Sequence, residues 1–260
     1  MRQSWGEFLR GAGAQTHGVQ VYAEADELAD SVATYLAAGF ERDEPALVVT
    51  TPAQLDLLEE RLASRGWDRR RAEGAGMLVV ADAEQALDSF YDRDGGSARF
   101  DETFAALLDR VQGRSGRPAR VFGEMVDLLC RRGDASAADA LERRWNDLAR
   151  ERRFSLLCGY RLDVFEQETQ LGILPDICRS HSHVLPARNY ARFARAVDEA
   201  LREVLGPNKA ATVYVLVSRM SAESHVPLAQ QILMWVSENL PKHSTQILAA
   251  ARAHYVRPAA

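Results

Sequence analysis

The sequence predicts an α/β protein: a three-layer, mostly parallel sheet covered by helices, followed by a small C-terminal helical module. Three observations carry this. Short, continuous apolar runs recur at about 17–22, 46–50, 77–81, 119–123 and 154–160. Runs of that kind, apolar without alternation, read as strands buried on both faces of a parallel sheet. Amphipathic stretches at helical spacing lie between them, as crossovers require. Past Pro186 the composition shifts to helical periodicity alone.

Each element has a local reason. Residues 1–14, with Gly11 and Gly13, read as a short frayed arm. His17 to Tyr22 is the first strand. The helix after it takes Asp26 as its N-cap and Gly39 as its stop, with Leu28, Val32, Tyr35 and Leu36 on its apolar stripe. Asp43-Glu44-Pro45 turns into the second strand. Thr51-Pro52 is an N-cap followed by proline at the first helical position; Leu55, Leu58 and Leu62 share a face, and Gly66 ends the helix. Arg69-Arg70-Arg71 reads as a solvated loop. Met77 to Ala81 is the third strand, and Asp82 caps a short helix. The loop Asp92–Ser97 leads to a helix over about 100–112, and Arg114–Pro118 turns into the fourth strand, Ala119–Gly123. A long helix at about 134–151 carries Ala138, Leu141, Trp145 and Leu148 on one stripe, before the fifth strand, Phe154–Tyr160. In the tail, residues 188–205 form an amphipathic helix stopped by Gly206-Pro207. Ala211–Val217 fits strand or helix equally. Pro227 starts a helix with Ile232, Trp235, Val236 and Leu240 in register, Pro241 ends it, and a last helix spans about 244–255. The domain boundaries drawn from this are 14–186 and 187–260.

Composition narrows the function classes. A 47% hydrophobic and 27% charged chain of 260 residues is globular, with ample core. A net charge of −5 argues against a dedicated nucleic-acid binder. No apolar run approaches the ~18 residues of a membrane span, and the N-terminus lacks the apolar core of a signal peptide. Cys130, Cys158 and Cys178 read as reduced thiols, so a cytosolic setting is expected.

The opening βαβ unit lacks what a nucleotide-binding domain needs there. A P-loop places G-x-x-x-x-G-K-[ST] at the first turn, so that backbone N–H groups and a lysine cradle phosphates. Here the turn is Tyr22-Ala23-Glu24-Ala25-Asp26, with no glycine, no lysine and two acids. That points to a domain that binds and signals without hydrolysing ATP.

Several segments taken in order resemble the MEDS sensory domain family, of methanogens, methylotrophs and the DcmR repressor. They are His17-Gly18-Val19-Gln20-Val21-Tyr22, Tyr35–Phe40 with Ala46–Thr50, Val121–Leu129, Leu141–Leu148, Phe154–Tyr160 and Ile177–Val184. The resemblance covers about 17–185. It implies a degenerate RecA/KaiC-like core without ATP-binding motifs and a sensory role toward small organic ligands such as hydrocarbon derivatives. Family members are usually joined to a DNA-binding or kinase module, and no such motif is evident in this chain.

In open α/β sheets ligands sit beyond the carboxyl ends of the strands. The ligand-binding candidates are therefore Tyr22, Glu24, Thr50, Glu124, Met125 and Tyr160, a mixed lining with a few polar groups to orient a mostly apolar ligand. Glu124 stands where an ATPase would hold Mg²⁺; it either contacts ligand or pairs with an arginine, Arg120 or Arg161. His17 reads as structural, Trp145 as core, and Asn146 as bonded to a neighbouring loop. Cys178-x-x-His181-x-His183 has metal-like residue types without a second cluster, and reads better as a hydrogen-bonded hinge than as a zinc site. No catalytic residue, cofactor or metal is expected. The expected partners are a small organic ligand or a signalling protein, a kinase or regulator, with self-association through the C-terminal helices. The competing readings are a divergent ATPase and a protein–protein adaptor.

Overall fold

A computed structural model describes residues 5–90, 97–113, 116–220 and 224–257. Most of the loop predicted at 92–97 and residues 114–115 of the turn before the fourth strand lie outside them. The chain divides into two compact units, Met1–Arg161 and Leu162–Ala260, whereas the change in composition falls at 186.

The first unit runs α1 (Trp5–Gly11), β1 (His17–Tyr22), α2 (Ala25–Phe40), β2 (Ala46–Thr50), α3 (Pro52–Ala63), α4 (Arg69–Gly74), β3 (Leu78–Asp82), α5 (Ala83–Phe90), α6 (Ser97–Gln112), β4 (Ala119–Gly123), α7 (Met125–Arg131), α8 (Ala135–Glu151) and β5 (Phe154–Arg161). Its strands lie in the order β3-β2-β4-β5-β1, all parallel. Side-chain alternation sorts the residues of each strand onto two faces. Ser155, Leu157 and Gly159 of β5 face α2: Ser155 meets the Tyr35 hydroxyl at 2.6 Å, and Gly159 lies beneath Leu28. Phe154, Cys158 and Tyr160 face α8, through Trp145 and Glu142. The predicted stripe of α8, Ala138, Leu141, Trp145 and Leu148, is buried throughout.

Several local signals act as read. Thr51 caps α3, its hydroxyl accepting from Gln54 N, with Pro52 at N1. Asp82 Oδ1 accepts from Gln85 N at 2.9 Å at the start of α5. Others differ. The Arg69 segment is the helix α4, capped by Asp68, with Arg69 paired to Glu59 and Glu73. The N-cap of α2 is Glu24, with no side-chain cap bond, and Asp26 sits in its first turn, paired with Arg61.

The predicted frayed arm is the largest departure. α1 is a helix whose Phe8 and Leu9 are buried. Phe8 stacks on Trp5 and Tyr35 at 5.1 and 6.2 Å between centroids. It lies over Gly18, where any Cβ would collide with the ring. The last carbonyls of α1 have no partners within the helix; Arg120, buried in β4, supplies them. Its Nη1 donates to Leu9 O and Tyr35 O, both at 2.7 Å, and its Nη2 to Arg10 O at 3.2 Å. Its Nε donates to Glu44 Oε2 at 2.7 Å, and its guanidinium lies 4.8 Å from the Tyr35 ring centroid. Gly39 does not stop α2, which continues to Phe40; its lack of a Cβ leaves room for the Arg120 stem.

The second unit contains α9 (Gln167–Leu171), α10 (Leu174–Ser180), β6 (His183–Leu185), α11 (Tyr190–Leu205), α12 (Pro207–Met220), α13 (Leu228–Asn239) and α14 (Pro241–Val256). The ambiguous run Ala211–Val217 is helix, within α12. Pro241 opens α14 where the sequence suggested only an end to the helix before it, since proline fits the first helical turn as well as it breaks an interior. Phe165, Phe193 and Tyr255 form the aromatic centre of this unit, with Phe165 5.6 Å from each of the other two.

Replacing Arg120 with Met should lower unfolding free energy by about 3–5 kcal/mol, because the carbonyls of Leu9, Arg10 and Tyr35 would lose their donor and Glu44 its strongest partner. Gly39→Ala should cost about 1–3 kcal/mol by overpacking against the Arg120 stem. Urea denaturation of the two variants checks both figures.

Candidate functional site

The chain leaves β2 toward β3 on one side and leaves β4 toward β5 on the other. The carboxyl ends of β2 and β4 therefore flank a topological switch point, where two crossovers depart in opposite directions and leave a crevice. Thr50 and Thr51 follow one strand and Glu124 the other. Glu124 is buried, and its Oε2 accepts three hydrogen bonds: from Thr50 Oγ1 at 2.7 Å, Thr51 N at 3.0 Å and Thr51 Oγ1 at 3.2 Å. The expected arginine partner is absent. Arg120 is bound to Glu44, and Arg161 Nε donates to Ala23 O at 3.2 Å. Two threonines take the place of a cation because they lie at the end of the adjacent strand. Among the described residues Glu124 Oε1 accepts no hydrogen bond, so the carboxylate is fixed through one oxygen and presents the other.

A second polar group adjoins it through α7. Asp127, fully buried in the first turn of that helix, accepts from Arg161 N at 2.8 Å and from the Tyr22 hydroxyl at 3.3 Å, and pairs with Arg131 at 2.9 Å. Burial, more than any other cause, holds its carboxyl above the ordinary carboxylate range, against the pull of the Arg161 N–H and Arg131. Burial also raises the Tyr22 phenol, reinforced by the charges of Asp127 and Glu124. Asp127 is the residue that sequence reasoning missed. Its signal was an acid inside the apolar run Met125-Val126-Asp127-Leu128-Leu129, which demands a buried partner.

The predicted residues divide accordingly. Thr50 and Glu124 meet directly, and Tyr22 bonds Asp127, one turn along α7 from Glu124. Met125 starts α7 and packs in the core. Glu24 is exposed at the head of α2. Tyr160 lies on the α8 face of β5 and donates to Glu142 Oε1 at 2.7 Å, away from Tyr22, which packs on the α2 face. In the second unit, Cys178 is buried and its thiol pushed up to about 12 by burial. His181 Nδ1 lies 2.7 Å from Ile177 O, and His183 Nδ1 3.0 Å from Ser182 Oγ. Among the described residues these three side chains do not gather as one ligand set.

The region of the sheet and its switch point, residues 16–182, matches the family model of the MEthanogen/methylotroph, DcmR Sensory domain. The match spans well over half of the chain, and the protein belongs to the MEDS family. No curated protein matches the chain. Among the described residues no helix is long and apolar enough to cross a membrane.

The raised carboxyl of Asp127 has a signed consequence for stability. The folded state holds that proton more tightly than the unfolded chain, so the contribution is complete below the ordinary carboxylate pKa. It is lost as pH rises through the higher folded value. Asp127→Asn should flatten this part of the stability curve, and urea midpoints measured across the acid range for both proteins check it.

Proposed function

We propose that the protein is a non-catalytic sensor whose first unit binds a small organic molecule at the switch point between β2 and β4. The observation that carries this reading is the Glu124 carboxylate, held rigidly by Thr50 and Thr51 through one oxygen while the other takes no bond within the described residues. A fixed acceptor beside apolar strand ends suits a small, largely apolar molecule with one hydroxyl or amine donor. The membership of a sensory family supports the same reading. An ATPase is disfavoured by the turn after β1. Glu24 is the N-cap of α2 and Asp26 and Glu27 fill its first turn, so negative side chains occupy the helix end that would otherwise attract phosphate.

Sensing requires that the ligand favour one of two states, since equal affinity for both shifts nothing. Output falls to the second unit, where α12 exposes Val215, Leu216 and Met220 to a signalling protein or a second copy of the chain. Soluble protein of a reduced, cytoplasmic compartment fits the three free cysteines.

Thermal-shift and calorimetric titrations with a panel of short-chain alcohols, amines and their halogenated analogues test the reading. At least one should stabilise the wild type and lose most of its effect in Glu124→Gln, which keeps an acceptor for the threonines and removes the charge. The same titration with ATP–Mg²⁺ should give no heat. An unchanged response in Glu124→Gln would remove the site, and micromolar ATP binding abolished by that substitution would restore the ATPase.

A further inference from the structure

A second polar cluster lies on the opposite, α8-facing side of the sheet within the first unit. His17 opens β1, Cys158 sits on the same face of the neighbouring β5, and Glu142 and Asn146 lie one turn apart on α8. His17, Glu142 and Cys158 are all buried. His17 Nε2 is 3.2 Å from Cys158 Sγ and 3.3 Å from Glu142 Oε2, and Cys158 Sγ is 3.9 Å from the same carboxylate oxygen.

The protons in this cluster are informative. His17 Nδ1 lies 3.0 Å from Asn146 Oδ1, an amide oxygen that can only accept, so Nδ1 carries a proton. In the neutral ring Nε2 then presents a lone pair toward a carboxylate oxygen and a sulfur. Nitrogen, oxygen and sulfur donor atoms thus converge, each pair within 3.9 Å. Glu142 is oriented for this by Tyr160, whose hydroxyl holds Oε1 at 2.7 Å and turns Oε2 toward His17. A histidine fixed through its second nitrogen and a carboxylate fixed through its second oxygen are the outer contacts that metal ligands carry.

We propose that His17 Nε2, Glu142 Oε2 and Cys158 Sγ are ligands of a divalent cation of the zinc type. Spacing supports it. Ligands about 2.0–2.3 Å from a tetrahedral ion stand roughly 3.3–3.6 Å from one another, and the three separations of 3.2, 3.3 and 3.9 Å bracket that range before any ion draws them in. Charge supports it too. The ion releases the Cys158 proton to solvent, and thiolate plus carboxylate then neutralise its two positive charges in a buried site. Mixed nitrogen, oxygen and sulfur donors suit zinc and exclude calcium and magnesium, which take oxygen ligands. The site is separate from the Glu124 crevice, and neither depends on the other.

Cobalt(II) titration of the full-length, chelator-stripped protein tests this. The wild type should bind one cobalt with a sulfur-to-metal charge-transfer band that zinc abolishes. Cys158→Ser should lose the band, while Cys130→Ser and Cys178→Ser keep it. Asn146→Ala, which frees the His17 ring, should weaken affinity about 10–100-fold. Zinc-edge X-ray absorption of the loaded wild type, which needs no variant to fold, should show one sulfur among nitrogen and oxygen neighbours. A wild type without saturable binding, a band that survives Cys158→Ser, or a zinc shell without sulfur would overturn the proposal and leave a hydrogen-bonded cluster.

Discussion

The Arg120 guanidinium is the contact on which the assembly of the first unit depends. It ties the N-terminal helix, the first crossover helix and the turn before β2 to the middle of the sheet. Its donors satisfy carbonyls of Leu9, Arg10 and Tyr35 and the Glu44 carboxylate. A charge taken that far from water is tolerable only when its hydrogen bonds are matched. That demand explains neighbouring choices: glycine at position 39 to admit the stem, an aromatic ring at Tyr35 beneath the cation, and an acid at Glu44 within reach.

A sheet covered on both faces gives each strand two environments, and this chain places different polar chemistry in each. At the carboxyl edge, Glu124 and Asp127 are held by threonines, a phenol and backbone N–H groups. On the α8 face, His17, Glu142, Cys158 and Tyr160 form a compact buried group. Each buried acid is surrounded by donors, as the cost of an unmatched carboxylate in the core requires. The difference lies in what remains to be engaged. Glu124 keeps one oxygen without a hydrogen bond among the described residues, whereas the Glu142 cluster brings nitrogen, oxygen and sulfur donor atoms together.

The same logic accounts for the missing phosphate loop. Phosphate recognition at a first βα turn relies on glycine backbone and a positive helix end. Here the turn is closed by Glu24, and Asp26 is spent on an ion pair with Arg61. The helix end that could attract an anion therefore carries negative side chains instead.

Much of the architecture was legible because it is written locally. Apolar runs marked the five strands of the first unit, the Thr51-Pro52 and Asp82 caps marked helix starts, the stripe of α8 marked a buried face, and the absent glycines and lysine marked a domain without a P-loop. Residues that act alone were harder. Gly11 and Gly13 suggested fraying, yet Phe8 is buried because Gly18, in the strand that follows, leaves room for its ring. The sequence offers Arg120 or Arg161 as a partner for Glu124, with a ligand as the alternative. In space Arg120 reaches Leu9, 111 residues away, and Glu124 reaches Thr50, 74 away. His17 meets Cys158 across 141 residues. Periodicity and capping depend on neighbours within a turn or two of chain, so the sequence determines which elements form and which way their faces point. Which charges meet depends on strand order and on the side each crossover takes, and that the tertiary structure alone decided.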